Sequence, residues 1–421
     1  MISRRPRYRP GFSTPVIEMI LLCILMVFGV FLRWYGLDRQ SLWSDELFAV
    51  VYSHKNSFSD LLAVMKQDSN PPGYVTFMYY MLPWVGYSDI AIRLHSFIAG
   101  CLLLLAMYLF GRRLFSASVG LVALVLMVVN HNAILYSQEA RCYAMLALDC
   151  LIYSYFFIDI FIRKNSGLFG FFSLFLTAVI ALYLHYVSLV FIGLSGLWFM
   201  VSYFLGLDSV FRVRGLIVYL AVLVFFYPWA SIMAEHMVLM DFWAKEPELR
   251  NIFFALMFFW GGHTFSWYFH LLGVSGAIFL AVFSVYSKKS LTEFASKVLF
   301  LSVMLIGPML VFYIKSKFSQ PVFVERYFMC SLPAALMLPA IFYGWVIDKI
   351  SIKGLRLLVM ALFCVAFFYT QLAIDVEEGL YGKNKNMQVR EAALSVALDE
   401  DFNKLNSGAI FYGSYFVSHY F

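Results

Sequence analysis

Two adjacent acids follow the first long apolar run of this sequence. In "LWSDELFAV", residues 42–50, Asp45 and Glu46 stand close to Trp43, although only 13% of the 421 residues are Asp, Glu, Lys or Arg. A carboxylate at the edge of an apolar run can act as a general base on a hydroxyl group. The structural alternative is that "SDE" begins a helix, with Ser44 as the N-cap and the acids at the positive end of the helix dipole. Capping explains one acid well and two less well.

Further polar residues stand at the ends of other apolar runs. "YSQEARCYAM" contributes Glu139 and Arg141, "YLHYVS" contributes His185, and "SQPVFVERYF" contributes Arg326 beside Glu325. Each of these residues alone could be an interfacial anchor or half of an ion pair. Together, two arginines and a histidine indicate an anionic ligand, because the planar fork of arginine bonds two phosphate oxygens at once.

The anionic group is not predicted to belong to a soluble nucleotide. Neither GxGxxG nor GxxxxGK[ST] occurs in the sequence, so side chains rather than a glycine-rich loop must hold the phosphate. A phosphate carried on a lipid meets this condition. A divalent metal stays an open alternative, since His, Asp and Glu are available, although no HxxxH or HExxH spacing occurs. The six cysteines form no CxxC pair and are interpreted as small packing residues.

The elements that must position these residues are transmembrane helices. Hydrophobic residues make up 62% of the chain and the mean hydropathy is +0.79, so we predict an all-α polytopic membrane protein. The net charge of +6 comes from basic residues scattered over short loops and does not indicate nucleic-acid binding. Runs of about 20 apolar residues predict eleven spans. They lie near residues 15–36, 91–111, 116–134, 140–161, 167–184, 187–206, 214–233, 267–286, 298–314, 327–347 and 354–374.

The charges between these spans predict the orientation of the chain. The first span follows a basic arm, "MISRRPRYRP", and is expected to be retained, because no small-residue cleavage site follows it. With the N-terminus in the cytoplasm, the short inner segments hold 16 of the 31 Lys and Arg residues. We therefore predict a transmembrane catalytic domain over 1–374 and an extracytoplasmic segment over 375–421, in a bacterial plasma membrane. The segment ends on an apolar run and is expected to continue beyond it.

The outer segments are predicted to contain helices of their own. In the first outer loop, residues 37–90, apolar residues recur at helical spacing over 46–66 and again over 73–86. Their tyrosine and tryptophan content indicates helices that lie on the membrane surface. A second outer segment covers 234–266. In the C-terminal segment, "MQVREAALSVALDEDFN", residues 387–403, predicts one amphipathic helix.

This arrangement resembles the GT-C fold of membrane glycosyltransferases, and within it the group similar to protein O-mannosyltransferases and aminoarabinose transferases. The resemblance covers at least residues 33–347. It depends on the order and spacing of "WSDE", "NPPGYVTFMYYML", "SQEARCYAM", "LHYVSLV" and "ERYFMCSLPA". Members use polyprenyl-phosphate-linked sugars outside the membrane. The resemblance implies that Asp45 is the catalytic acid-base carboxylate with Glu46 beside it. It also implies that three residues lie near the donor phosphate, namely Arg141, His185 and Arg326.

One departure from the family pattern concerns the Pro-Pro pair in the first outer loop. Some relatives carry an acid or a base directly before this pair, where the present chain has Ser69 and Asn70. Asp68 stands one place further back, which leaves a second acid and the acceptor chemistry open. The residues that could supply this acid or contact the acceptor are Asp68, Glu139, Tyr143 and Tyr327.

The implied reaction explains why two acids need not share one role. A single displacement at the anomeric carbon, with inversion, needs one base on the acceptor hydroxyl. Neighbouring residues on a helix point about 100° apart, so Asp45 and Glu46 cannot both reach one proton. We assign the base to Asp45, and Glu46 to holding the loop, binding an acceptor group or pairing with an arginine. Cations can stabilise the leaving phosphate without a general acid.

The sequence therefore predicts a glycosyltransferase that moves a sugar from a polyprenyl-phosphate-linked donor to a lipid, glycan or protein on the outer face. The alternative function is a transporter or flippase of a lipid-linked glycan. A transporter more often shows repeats and charges at the midplane of the membrane, and here only Asp149 and Asp159 stand well within a predicted span. A third alternative, a non-catalytic scaffold or receptor, would not need acids and arginines on the same side.

Overall fold

The structure is a computed structural model that describes residues 15–165, 167–239, 244–261 and 264–377. Within these ranges the regular secondary structure is helical throughout, as the composition predicts. Most of the predicted C-terminal segment, including its amphipathic helix at 387–403, lies outside the described residues.

The described helices are numbered in chain order. The first group consists of α1 (Pro15–Trp34), α2 (Ser44–Ser53), α3 (Phe58–Met65), α4 (Gly73–Val85), α5 (Asp89–Leu114), α6 (Ala117–Val128), α7 (His131–Leu135) and α8 (Tyr143–Phe157). A π-helical turn, Ile158–Ile162, extends α8. The second group consists of α9 (Leu168–Leu184), α10 (Val187–Phe204), α11 (Ser209–Leu239), α12 (Leu249–Trp260), α13 (Thr264–Lys288), α14 (Glu293–Phe318), α15 (Leu332–Lys349) and α16 (Lys353–Glu377). A 3-10 turn, Glu325–Ser331, leads into α15.

Helices occupy all eleven segments that the sequence predicts as spans. Eight of the described helical stretches are long and apolar enough to cross a membrane, namely those built on α1, α5, α8, α10, α11, α13, α14 and α15. The other three predicted segments contain shorter apolar helices, α6, α9 and α16. Eleven crossings therefore stay a prediction, while the all-helical membrane architecture is confirmed.

The short helix α6 is the centre of the bundle. All of its residues from Ala117 to Val128 are buried, and it packs against α1, α5 and α15. Close approach of the backbones makes this possible, because a Cβ atom on Gly120 would lie 2.6 Å from the carbonyl oxygen of Tyr108. Glycines at helix crossings allow such contact in membrane proteins. α6 stops early because Asn130 caps the next helix, accepting a hydrogen bond from the Ala133 amide at 2.9 Å.

A buried arginine fixes the end of α6 against the end of α1. Arg33 is fully buried and donates to the carbonyl oxygens of Met127 and Val128 at 2.9 and 3.3 Å. A cation at a helix C-terminus compensates the negative end of the helix dipole. Gln138 donates from Nε2 to the carbonyl oxygens of Arg33 and Tyr35 at 3.1 and 2.9 Å. These bonds hold the loop 136–142, which carries Glu139 and Arg141, at this end of the bundle.

The first outer loop contains three short helices instead of the two predicted. The predicted helix over 46–66 is divided, since Ser57 caps α3 by accepting a hydrogen bond from the Asp60 amide at 3.1 Å. The prediction that Ser44 caps α2 is wrong, because the N-cap position is Trp43 and makes no side-chain cap. Glu46 supplies the acceptor instead, and its Oε2 lies 3.2 Å from the Trp43 amide.

Helix α4 carries apolar residues on both of its faces. Tyr74, Met78 and Leu82 are buried against the bundle, while Tyr80 and Trp84 point away from it, with Trp84 90% exposed. Aromatic residues of this kind are favoured where one end of the ring meets hydrocarbon and the other meets water. The pattern fits a helix that lies on the membrane surface.

Candidate active site

Five of the residues singled out in the sequence line a cavity of about 470 Å³ at one end of the bundle, namely Asp45, Asp68, Arg141, Arg326 and Tyr327. Its wall is formed by α2, the loop 68–71, the start of α4, the loop before α8 and the 3-10 turn before α15. The polar side chains on this wall are those of Asp45, Asp68, Ser69, Asn70, Arg141 and Arg326, together with the tyrosines Tyr52, Tyr74 and Tyr327. Segments separated by nearly 300 residues thus contribute to one polar site.

Asp45 stands between the two arginines on this wall. Its Oδ2 lies 3.2 Å from Nη2 of Arg326 and 4.0 Å from Nη2 of Arg141. Arg141 also donates from Nη1 to the carbonyl oxygen of Asp45 at 3.1 Å. A quarter of the Asp45 side chain stays exposed to the cavity. The carboxylate is therefore fixed beside two cations and accessible to a ligand.

Glu46 turns away from the cavity into the protein. It is completely buried, and its two oxygens accept hydrogen bonds from Nε and Nη2 of Arg93, each at 2.8 Å. The Ala140 amide donates to the same carboxylate at 2.6 Å. Glu46 thus ties α2 to α5 and to the loop that carries Arg141. Of the roles suggested from the sequence, these contacts fit holding the loop and pairing with an arginine.

Ring faces orient both arginines of the cavity. Cζ of Arg326 lies 5.5 Å from the ring centroid of Trp43, and Cζ of Arg141 lies 5.8 Å from that of Tyr143. A guanidinium over an aromatic face gains a favourable cation–π interaction and keeps its donor edge free to point elsewhere. The two guanidinium groups reach Asp45 from different elements, the loop before α8 and the turn before α15. An anion in the cavity could therefore be held from two directions.

His185 lies beside this group in a neighbouring cavity of about 150 Å³. It ends α9, and its ring centroid is 4.7 Å from that of Tyr327. Burial, and then the charges of Arg141 and Arg326, lower the pKa of His185 to about 3. The imidazole is therefore neutral at neutral pH, and the positive charges of this site are those of Arg141 and Arg326.

Glu139 and Tyr143 lie behind the wall of the cavity. Burial, and then the negative charge of Glu46, raise the pKa of Glu139 to about 8, so its carboxyl group holds a proton at neutral pH. Tyr143 is fully buried, and its hydroxyl group has no hydrogen-bond partner among the described residues. Both residues support the wall rather than form it.

Asp68 lines the cavity itself. Its Oδ1 accepts a hydrogen bond from the Ser69 amide at 2.6 Å, and Asn70 Nδ2 lies 3.4 Å from the same oxygen. Of the four candidates for a second acid or an acceptor contact, Asp68 and Tyr327 face the cavity.

Within the described residues, no group of three or more His, Cys, Asp or Glu side chains could hold a metal ion.

Sequence reasoning missed Arg93, the partner of Glu46. Besides that pair, Arg93 donates from Nη1 to the carbonyl oxygens of Leu37 and Gln40, both at 2.8 Å. A charged residue at the start of an otherwise apolar helix is expensive unless it is paired. Arg93 in "SDIAIRLHSF" was therefore a detectable signal, although its partner could not be read from the sequence.

The fold defines the class of protein, a polytopic membrane protein whose helices match the GT-C fold of solved membrane enzymes. The sequence matches no known family model and no curated protein. Among solved structures, the chain is similar to ArnT from Cupriavidus metallidurans bound to undecaprenyl phosphate, with 14% identity and a TM-score of 0.55. This match covers 83% of the chain and 64% of ArnT.

Archaeal oligosaccharyltransferases share the same fold. The chain is similar to the Archaeoglobus fulgidus oligosaccharyltransferase in complex with Zn and sulfate, at 13% identity and a TM-score of 0.53, over 94% of the chain and 57% of the enzyme. It is also similar to AglB of that organism in complex with an inhibitory peptide and a dolichol-phosphate, at 11% identity and a TM-score of 0.52. That match covers 95% of the chain and 59% of AglB. The chain thus spans about three fifths of the length of these proteins.

Proposed function

We propose that this protein is a membrane glycosyltransferase that moves a sugar from a polyprenyl-phosphate-linked donor to an acceptor hydroxyl group, with inversion. The observation that carries the proposal is the Asp45 carboxylate on the wall of a polar cavity, 3.2 and 4.0 Å from two arginines. The fold supports the proposal, since structures with a similar fold bind undecaprenyl phosphate and dolichol-phosphate.

In the proposed reaction Asp45 takes the proton of the acceptor hydroxyl group while the oxygen of that hydroxyl group attacks the anomeric carbon. The bond between that carbon and the phosphate oxygen breaks, and the polyprenyl phosphate leaves as an anion. Arg141 and Arg326 stabilise the charge that develops on this phosphate, which is the effect of fixed donors in a site that excludes water. The arginines hold Asp45 before the donor binds and turn to the phosphate afterwards.

The proposed site faces the outside of the cell. Basic residues gather at the opposite end of the bundle, where α5 ends with Arg112 and Arg113 and where Arg163 and Lys297 stand. Short loops rich in Lys and Arg stay in the cytoplasm. A donor carried on a membrane lipid reaches this side without a soluble nucleotide.

One observation favours the alternative of a transporter. Asp149 is an acid within α8, 8% exposed, and its Oδ2 has no hydrogen-bond partner in the described part of the chain. Acids within spans often mark transport pathways. The charged residues that line the polar cavity lie instead at one end of the bundle, and this position favours the transferase.

Transfer by the purified protein tests the proposal directly. The protein in detergent or nanodiscs is supplied with a panel of polyprenyl-phosphate sugars, and release of polyprenyl phosphate is followed with the anomeric configuration of the product. We expect one donor class to be consumed with inversion. Net movement of an intact lipid-linked sugar across vesicles, with no donor consumed, would instead support the transporter.

The topology can be tested with single introduced cysteines. In Asn56→Cys, between α2 and α3, we expect a membrane-impermeant maleimide to label intact cells or right-side-out vesicles. In Ser290→Cys, between α13 and α14, labelling is expected only after the membrane is opened. The unmodified protein gives the background of the six native cysteines. Labelling of position 56 from the cytoplasmic side alone would place Asp45 in the cytosol and remove the proposed orientation.

Replacing either arginine by lysine tests the phosphate contact. Arg141→Lys and Arg326→Lys keep the charge, but lysine cannot bond two phosphate oxygens in a planar fork. We expect the donor Michaelis constant to rise by an amount that corresponds to about 1.5–3 kcal/mol, the range of a charge-assisted hydrogen bond. Donor-dependent kinetics and a melting curve in detergent are measured for each variant. An unchanged donor response with a lower melting point would make that arginine a structural anchor.

A further inference from the structure

A second, apolar cavity lies next to the polar one, within the membrane-spanning part of the bundle. It has a volume of about 480 Å³ and is formed by α4, α5, α8 and α9. We refer to it as the α5–α8 groove, and its characteristic lining residues are Phe77, Ile98, Leu102, Met145, Leu148 and Ile180. Its size and lining suit a hydrocarbon chain and give few partners to a polar ligand.

The α5–α8 groove opens sideways towards the lipid. Ile98, Leu102 and Ile180 line it and are also 47%, 50% and 40% exposed on the surface of the bundle. Helix α4 contributes Phe77, Met81 and Val85 to its wall, and Trp84 of the same helix is 90% exposed. A chain can therefore enter from the bilayer without passing through water.

The groove and the polar cavity adjoin each other. Leu184 at the end of α9 lines both spaces. Tyr74, on the wall of the polar cavity, packs its ring against His95 of the groove with 5.4 Å between ring centroids. The head of an amphiphile whose chain lies in the groove would therefore lie next to the cavity that contains Asp45.

The two spaces that adjoin the polar cavity differ in their charged residues. Of the described residues that line the α5–α8 groove, none is Lys or Arg, and the one acid is Asp149. On the other side, the 150 Å³ cavity next to Tyr327 contains Lys315 among apolar residues such as Val311 and Phe312. The phosphate of the donor is an anion and is favoured on the side of Lys315 and Arg326. The α5–α8 groove has no basic residue among the described residues that line it and therefore suits the uncharged chain of the acceptor better than the donor phosphate.

We propose that the α5–α8 groove holds the hydrocarbon chain of the acceptor, so that the acceptor is a membrane amphiphile and not a soluble peptide or glycan. This inference rests on the proposed transferase function and names its acceptor class. Oδ2 of Asp149, which has no partner among the described residues, can accept a hydrogen bond from a hydroxyl group of that lipid. The acceptor hydroxyl at the head gives its proton to Asp45 as its oxygen bonds to the anomeric carbon and polyprenyl phosphate leaves.

Photo-crosslinking can identify the occupant of each of these two spaces. A benzophenone amino acid is placed at Leu102 in the groove, at Val311 in the cavity with Lys315, and at Leu223, a lipid-facing residue of α11. Each protein is reconstituted in nanodiscs of phosphatidylethanolamine and phosphatidylglycerol that contain polyprenyl phosphate, and the crosslinked lipids are identified by mass spectrometry.

Relative to Leu223, we expect Leu102 to be enriched in acyl lipids and depleted of polyprenyl phosphate, and Val311 to be enriched in polyprenyl phosphate. Enrichment of polyprenyl phosphate at Leu102 would overturn the proposal, because the groove would then hold the donor chain. The same lipid composition at Leu102 and Leu223 would also overturn it, since the groove would select nothing.

Filling the groove gives a functional readout. Leu102→Trp, and Ile98→Trp as a second variant, should raise the ratio of donor hydrolysis to sugar transfer into membrane lipids by at least about tenfold, the factor that corresponds to 1.4 kcal/mol. Leu223→Trp is the matched control and should leave the ratio unchanged. An unchanged ratio in both groove variants would refute an acceptor site there. Failure of the unaltered protein to consume any polyprenyl-phosphate sugar would instead refute the proposed function, while the crosslinks would still report the occupant of the groove.

Discussion

Asp45→Asn is expected to lower the turnover of sugar transfer by at least about 10², the lower end of the contribution of general-base catalysis. Asparagine keeps the size of the side chain and removes its ability to accept a proton. The change also removes a negative charge 3.2 Å from Arg326, so that arginine is no less available to the donor phosphate. We therefore expect kcat to fall while the donor Michaelis constant does not rise, a pattern that separates chemistry from binding.

Asp68→Asn is the matched control for this change. Both carboxylates line the same cavity, but Oδ1 of Asp68 accepts from the Ser69 amide and lies near the side chains of Ser69 and Asn70, whereas Asp45 stands beside two arginines. We expect this variant to retain more activity than Asp45→Asn in the same assay. If Asp45→Asn keeps near-normal turnover and Asp68→Asn loses it, then Asp68 is the base and the proposed mechanism must be reassigned.

Glu46→Gln is expected to act mainly on stability. The Glu46–Arg93 pair is almost fully buried, with side-chain exposures of 0% and 3%, and glutamine would leave the guanidinium without its counter-charge. Breaking a buried ion pair by removing one partner typically costs about 3–5 kcal/mol. A melting curve in detergent should therefore shift clearly downwards. Turnover per folded molecule should fall less than in Asp45→Asn.

A double-mutant cycle separates the interaction energy between Glu46 and Arg93 from the energy of their contacts with other groups. Arg93→Met removes the cation together with its bonds to backbone carbonyl groups, and the double variant removes both charges. Because the two residues are in contact, the double variant should lose less stability than the sum of the single losses. A Glu46→Gln variant with an unchanged melting curve and no transfer would show that Glu46 takes part in the chemistry.

The division of labour between Asp45 and Glu46 follows from the rotation of one helix. Their positions in α2 differ by about 100°, so when one side chain faces the cavity the other must face the bundle. Asp45 then meets the arginines of two distant segments, and Glu46 meets α5 and the loop before α8. The same Glu46 bonds that stabilise the fold hold Arg141 beside the proposed base. The activity of the site should therefore be sensitive to the integrity of this pair.

The sequence by itself determined the class of protein and the helical segments. Apolar runs of about 20 residues have few stable alternatives to a helix in a membrane, because their backbone groups must be satisfied internally. The alternation of these runs also predicted that "WSDE", "SQEARCYAM" and "ERYF" lie at the same end of the bundle. In the structure Asp45, Arg141 and Arg326 do line one cavity.

Only the tertiary structure decided which polar residues face that cavity and in what state. Glu139 and His185 have the same residue types as exposed acids and bases, but burial by other helices leaves the carboxyl group protonated and the imidazole neutral at neutral pH. Arg93 becomes the partner of Glu46 because α5 passes α2, a contact between residues 47 positions apart. The direction of a side chain depends on how its helix is rotated against its neighbours, and its protonation depends on what they cover. Neither quantity is a property of the local sequence.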